Sequence, residues 1–180
     1  MSQLSETTST PSATPLANVV VEIEAHAQSA GWDRAARVYA LVPTDELLAR
    51  EPALGAKLGI DVTTAAGTLT PIEDELGADA SLEQALPRIA WPREVVGCAV
   101  VVERLVLPPD AEEALPESGS AVRDFAAAHP RRAEVRIAAG VLRDGRQHCV
   151  LRVRSHDGAL VQGPDLVPGL TGLLQDTLDD

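Results

Sequence analysis

The fold is decided by residues 134–154, which read EVRIAAGVLRDGRQHCVLRVR. Two runs rich in β-branched and apolar residues flank Asp144-Gly145, a dipeptide typical of tight hairpin turns. We therefore predict two antiparallel strands, residues 134–143 and 147–154, joined by a short loop.

The length of this loop sets which residues face each other. A two-residue loop would place Ile137 opposite Arg152, and arginine would then lie on the apolar face. A three-residue loop, residues 143–145, with Gly145 in a left-handed bulge, keeps that face apolar. We predict the second register, which gives the pairs Ala139–Cys149, Ile137–Leu151 and Val135–Val153.

The other face of the predicted hairpin carries charge. Glu134 faces Arg154, which is favourable, but Arg136 faces Arg152, and like charges in direct opposition are destabilising. Residues 131–154 hold seven arginines and two acidic residues, in a chain whose net charge is −12. Such a face needs neighbouring carboxylates or a bound anion.

The arginines of this face are the candidate binding residues: Arg136, Arg152 and Arg154. They could bind an anion or an acidic protein partner. The alternative is that the chain neutralises them itself, because charge runs are usually solvated or internally paired. The carboxylates would then come from a helix or from the acidic C-terminal end, Asp176, Asp179 and Asp180.

Outside the hairpin, the first pattern is a helical stripe followed by Gly31, which is placed to end the helix. The stripe consists of Leu16, Val19, Val20, Ile23 and Ala27, with Glu22 and Glu24 off it. Further strands are predicted at residues 37–42 and 98–107. Residues 69–76 form a strand or an irregular segment, and residues 61–68 form a loop. The run at 98–107 is apolar on both faces at its start, which favours a central strand.

Four more helical stretches follow from caps and spacing. Thr44 can cap one, and Pro52 breaks it or begins a second short helix. Ser81 and Gln84 form a capping-box pattern for a helix that ends near Arg88. The last two predicted helices cover residues 118–128 and 168–178, the latter with Leu170, Leu173 and Leu174 inward.

These elements predict an α+β fold with one domain, residues 16–180, after a disordered tail, residues 1–15. The sheet is mixed or mainly antiparallel, with helices packed on one side of it. A C-terminal hairpin followed by a helix completes the domain.

The composition of the chain argues against nucleic acid and membranes as partners. The net charge of −12 and the aromatic content of 2% disfavour nucleic acid, which attracts basic and aromatic surfaces. There is no signal-peptide pattern and no apolar run that approaches a membrane span, so we expect a cytoplasmic protein without membrane contact. Two cysteines are too few for a disulfide scaffold.

No motif demands a particular chemistry. Cys149 follows His148, but neighbours on a strand point to opposite faces, so this histidine cannot easily activate the thiol. The four histidines lack metal-ligand spacing, and the glycines lack a phosphate-loop pattern. We therefore predict no catalytic residues, no metal and no cofactor. Trp32 and Trp91 are expected to anchor the ends of elements.

Five segments together resemble a conserved family of actinobacterial proteins to which no activity is assigned. They are VEIEAHAQSAGWD (21–33), ALVPTDELL (40–48), IAWPREVVGCAVVVERLVLPP (89–109), GVLRDGRQHCVLRVR (140–154) and GPDLVPGL (163–170). The resemblance covers most of the chain from Asn18 onward and brings no catalytic or cofactor residues. The order of elements is also similar to that of secretion-chaperone-like proteins, a class that dimerises and binds other proteins.

Three functional hypotheses follow. The first is a non-enzymatic adaptor or chaperone-like protein that binds another protein, with a homodimer as one form. The second is an enzyme or small-molecule sensor that uses an arginine-lined pocket for a carboxylate or phosphate. The third is a structural subunit of a larger complex, which a large exposed apolar patch would favour.

Overall fold

The computed structural model describes residues 14–74, 76, 81–107, 128–154 and 160–179. Most of the predicted N-terminal tail and nearly all of the helix predicted at 118–128 lie outside these residues. Six strands form one sheet: β1 (Arg37–Pro43), β2 (Leu69–Asp74), β3 (Gly97–Val106), β4 (Ala133–Leu142), β5 (Gln147–Val153) and β6 (Leu160–Gly163). The helices are α1 (Pro15–Ala30), α2 (Thr44–Arg50), α3 (Pro52–Leu58), α4 (Val62–Ala65), α5 (Leu82–Ala85), which continues into a 3-10 turn (Leu86–Arg88), and α6 (Pro168–Asp176).

The strand order is β2-β1-β3-β4-β5-β6, and every neighbouring pair in the described chain is antiparallel. The α+β prediction is therefore confirmed, with a sheet of the antiparallel kind. β3 and β4 lie in the middle, as the apolar run in β3 predicted. β6 was not predicted, because four residues are too short to show an alternating pattern.

The predicted hairpin register is correct. Ile137 pairs with Leu151, and Arg136 pairs with Arg152. Gly145 has a φ of 90°, which is the left-handed conformation that the three-residue loop requires. Within the loop, Gly145 N donates to Leu142 O at 3.0 Å, and Leu142 N donates to Arg146 O at 2.8 Å.

Helices cover both faces of the sheet, so the expectation of helices on one side is wrong. The first face packs against α1 and the second against α5 and α6. Because both faces are buried, the central strands are apolar on both sides and give no alternation from which the helix positions could be inferred.

α1 lies close to the sheet where it crosses β4. A Cβ atom added to Gly140 would be 2.7 Å from Val20 Cγ2 and 3.2 Å from Leu16 Cδ1. A glycine at this position therefore lets the helix approach β4. Thr14 caps the start of α1, since its hydroxyl accepts from Ala17 N at 3.1 Å, and Gly31 caps its end, as predicted.

Several local predictions need correction. Thr44 does not cap α2, because its hydroxyl pairs with the hydroxyl of Thr70 at 2.8 Å. Ser81 stands at the cap position of α5 but makes no side-chain capping bond, so the capping-box prediction is also wrong. The region predicted as a loop contains α4, and Leu173, predicted inward, is 37% exposed.

Candidate functional site

The arginine cluster consists of Arg136, Arg152 and Arg154 with the carboxylates Glu24, Asp33, Glu103 and Glu134. The antiparallel register brings the three arginines to the face of the sheet that α1 covers. The sequence prediction that they share a face is therefore correct. Whether they bind a ligand depends on what lies against them.

Arg136 is almost completely buried, with an exposed side-chain fraction of 1%. Its guanidinium donates to Gln28 Oε1 at 2.7 Å and to Gly31 O at 2.8 Å. Glu24 Oε1 lies 3.5 Å and Glu103 Oε1 3.8 Å from its nitrogens. The donors of Arg136 are thus directed at groups of its own chain.

Glu24 is the carboxylate that offsets the repulsion between Arg136 and Arg152, which face each other across the strands. Its side chain is 2% exposed, and its two oxygens accept from Arg152 at 2.6 and 2.9 Å, a paired geometry that arginine and carboxylate favour. These hydrogen bonds raise the pKa of Arg152 above its usual value. Glu24 therefore does not lie off the buried side of α1, as the sequence interpretation had it.

Arg154 lies at the outer end of the cluster and is 40% exposed. It donates to both oxygens of Asp33, at 3.0 and 3.1 Å, and to Glu134. Trp32 stacks with two of the arginines, since its ring centre is 4.2 Å from Arg136 Cζ and 5.4 Å from Arg154 Cζ. Trp32 thus anchors the end of α1 on the arginine side chains, in the role expected of it.

The cluster contains four carboxylates for three arginines, so its own formal charge leaves no excess positive charge for an anion. The neutralising carboxylate is on a helix, one of the two sources that the sequence suggested. An anion that entered between Arg136 and Arg152 would have to displace Glu24. Beside Arg136 and Glu103 there is a pocket of about 10 Å³, room for no more than one water molecule. At its outer end the cluster borders a shallow depression of about 370 Å³ beside Arg132 and Arg154.

The cysteines and histidines form no reactive group in the described residues. Cys98 and Cys149 are buried free thiols, and burial raises both pKa values, that of Cys98 to about 11. His148 Nε2 lies 3.2 Å from Gln162 Oε1, on the face opposite Cys149. No three potential metal ligands come together in the described part of the chain.

The two edges of the sheet differ in chemistry. The β6 edge has the sequence LVQG, residues 160–163, which carries no charge. Leu160 is 41% and Val161 53% exposed. Leu166 lies beside Gly163, 3.6 Å from the position of an added Cβ atom, and is 36% exposed.

The β2 edge has the sequence LTPIED, residues 69–74. It carries Pro71, which has no N–H to donate, and the charged residues Glu73 and Asp74. Proline and charge are common means by which proteins block unwanted strand pairing. Within the described residues, β6 is thus the one outer strand without such protection.

Comparison with known proteins identifies a family. The model of the PPA1309-like protein family matches residues 16–179, and the chain belongs to this family. Neither the curated proteins nor the solved structures include a match to the chain. No helix in the described residues is both long and apolar enough to cross a membrane.

Proposed function

We propose that this member of the PPA1309-like family is a non-enzymatic protein-binding protein, of the adaptor or chaperone-like kind, that receives its partner at the β6 edge. The observation that carries the proposal is the exposure of Leu160 and Val161 on an uncharged outer strand. An outer strand presents unpaired backbone N–H and C=O groups, and an extended segment of a partner can pair with them.

Charge supports the choice of surface. A chain with a net charge of −12 repels a second acidic protein over most of its surface. The four residues of β6 are free of charge, so pairing there avoids that repulsion. A second copy of this chain is the first partner to test, because antiparallel pairing of β6 with its own copy gives a closed two-fold dimer.

The proposal includes a cytoplasmic location in an actinobacterium and a protein partner rather than nucleic acid. The acidic net charge supports a protein partner over nucleic acid, and the two free cysteines support a cytoplasmic location. Lys57 is the single lysine among 15 basic residues, and this bias towards arginine supports the bacterial origin. A permanent structural subunit would use the same edge. It would differ by co-purifying with its partner in fixed proportion.

A charge placed on β6 tests the proposal. We expect wild-type protein to self-associate in sedimentation velocity, or to retain a specific protein in affinity capture from its own cytosol. Val161→Lys should weaken either interaction at least about tenfold, because it places an unpaired charge in the strand interface. Ile72→Lys is the matched control on β2, since Ile72 is also exposed, at 44%.

Two results would contradict the proposal. One is wild-type protein that stays monomeric at all concentrations and captures nothing specific. The other is an interaction that Val161→Lys leaves intact.

An anion sensor is the second candidate, and one observation favours it: Arg132 and Arg154 line the shallow depression beside β4. Against it stands the pairing of Arg154 with Asp33 and Glu134.

A further inference from the structure

β6 presents apolar side chains to both faces of the sheet. Val161 pairs with Leu151, which packs against the core of the second face, so Val161 lies on the side of α6. Gln162 pairs with Val150, which packs against the core under α1. Because alternate residues of a strand point to the same side, Leu160 lies on the α1 side with Gln162. The edge therefore carries one exposed apolar side chain on each face.

Leu166 enlarges the apolar surface on the side of α6. It lies beside Gly163, 3.6 Å from the position of an added Cβ atom, and Gly163 shares its face with Val161. Leu166 and Val161 are both exposed. A partner strand at this edge thus gains most apolar contact opposite Val161.

The geometry of self-pairing limits which residues can face each other. A strand that pairs antiparallel with its own copy does so about a two-fold axis perpendicular to the sheet. Each face of one copy then continues into the same face of the other, and residues directly opposite each other lie on one face. Among the residues of β6, Val161 can therefore face residue 161 or 163 of the second copy, but not residue 160 or 162.

One register of this kind buries the most apolar surface. Registers centred on Val161 or on Gln162 keep three residues of β6 paired with the second copy, whereas one centred on Leu160 keeps a single residue paired. The register centred on Gln162 places Val161 opposite Gly163, which has no side chain. The register centred on Val161 places two valines side by side, and pairs of β-branched or apolar residues directly opposite each other stabilise a sheet.

We propose that the partner at the β6 edge is a second copy of this chain, paired antiparallel with Val161 on the two-fold axis. This inference rests on the proposed protein-binding function of the edge. The two six-stranded sheets become one continuous sheet, whose outer strands are both β2. Since Pro71, Glu73 and Asp74 protect β2, no unprotected outer strand remains in the described residues, and assembly stops at the dimer.

Charge and size set the strength of this dimer. Each copy has a net charge of −12, so the two copies repel each other at long range, although β6 itself is uncharged. A four-residue strand also gives an interface smaller than that of a typical stable complex. The dimer is therefore weak and reversible, and added salt strengthens it by screening the repulsion. A basic partner protein would show the opposite salt dependence.

Cysteine cross-linking of the full chain tests the register. The two native cysteines, Cys98 and Cys149, are fully buried, so a cysteine placed on β6 is the reactive one. Directly opposite residues have Cα atoms about 4.5–5.5 Å apart, within the range of a disulfide. With copper-phenanthroline as the oxidant, Val161→Cys should form a disulfide-linked dimer.

Three matched variants serve as controls. Leu160→Cys and Gln162→Cys, each alone, should cross-link at least about tenfold more slowly, because their Cα atoms would be about 8 Å from those of their copies. An equal mixture of these two proteins should cross-link as readily as Val161→Cys, since residues 160 and 162 face each other. Ile72→Cys, exposed on β2, should not cross-link.

Sedimentation velocity of the wild type at low and high salt completes the test. The inference is overturned, with the proposed function intact, if Leu160→Cys or Gln162→Cys alone cross-links as fast as Val161→Cys in a protein that self-associates. It is also overturned if Ile72→Cys cross-links equally, if salt weakens the dimer, or if the protein is monomeric and a different protein binds at β6. A monomer that captures nothing specific contradicts the proposed function as well.

Discussion

The arginine cluster and the β6 edge both suggest binding, and they differ in whether groups of the same chain already occupy them. In the cluster, four carboxylates and Trp32 of the same chain surround three arginines. At the β6 edge, the exposed side chains of Leu160 and Val161 have no covering element in the described chain. The first region is conspicuous in the sequence and closed in the structure, whereas the second is inconspicuous in the sequence and open.

The difference shows that a local excess of charge is weak evidence for a binding site. Desolvated charges cost much free energy unless they are paired, so a chain that buries Arg136 must also supply its partners. An edge strand carries no buried charge that the chain itself must pair. Its backbone groups can remain hydrated until a partner arrives, so they stay available for binding.

Among the substitutions that test this comparison, Glu24→Ala is expected to reduce stability most. This substitution removes the buried carboxylate that Arg152 binds and leaves Arg136 with Glu103 alone at 3.8 Å. Removal of one partner of a buried ion pair typically costs about 3–5 kcal/mol of unfolding free energy. Urea denaturation measures it. Glu22→Ala, two residues away and exposed, should change stability by no more than about 0.5 kcal/mol. Equal effects of the two substitutions would show that the cluster is not closed by Glu24.

A smaller loss is expected from Gly140→Ala, which tests how α1 is held over the cluster. The added methyl group would lie 2.7 Å from Val20 Cγ2, so the Val20 side chain or α1 must shift, at a cost of about 1–3 kcal/mol. Gly169→Ala is the control, because nothing lies within 4 Å of its added Cβ atom. Thermal unfolding of both variants checks the difference. A Gly140→Ala protein as stable as wild type would mean that α1 is loosely packed.

The smallest effect is expected from Arg154→Gln, at the exposed end of the cluster. Its pairs with Asp33 and Glu134 are open to solvent, so the loss of stability should be less than that of Glu24→Ala and should fade as salt is added. Melting curves with and without phosphate test the anion alternative in the same experiment. If phosphate stabilises wild type but not Arg154→Gln, the outer depression binds anions and the cluster is not closed there.

The hairpin, its register and the fold class could be predicted, because the loop residues and the apolar pattern act within a short stretch of chain. The carboxylates that pair with the arginines could not be predicted. Glu24 was assigned to the wrong side of α1, since a carboxylate beside an apolar stripe is normally solvated. The position of Glu24 one turn after Val20 in the stripe, together with the two opposed arginines, was the signal that could have identified it.

The β6 edge was missed for a different reason. β6 has four residues and no alternation, and its role follows from the strand order, which pairs it with β5 at the end of the sheet. Contacts of this kind depend on how elements pack and are not readable from local patterns.

Hydrogen–deuterium exchange at the two sheet edges tests the central claim most directly. Exchange is measured on the free protein at low concentration and again under the conditions in which it self-associates or holds a captured partner. The account predicts that amides of residues 160–163 gain protection in the complex, while those of residues 69–74 do not. A complex that protects β2, or one that leaves β6 as exchangeable as in the free protein, would contradict it.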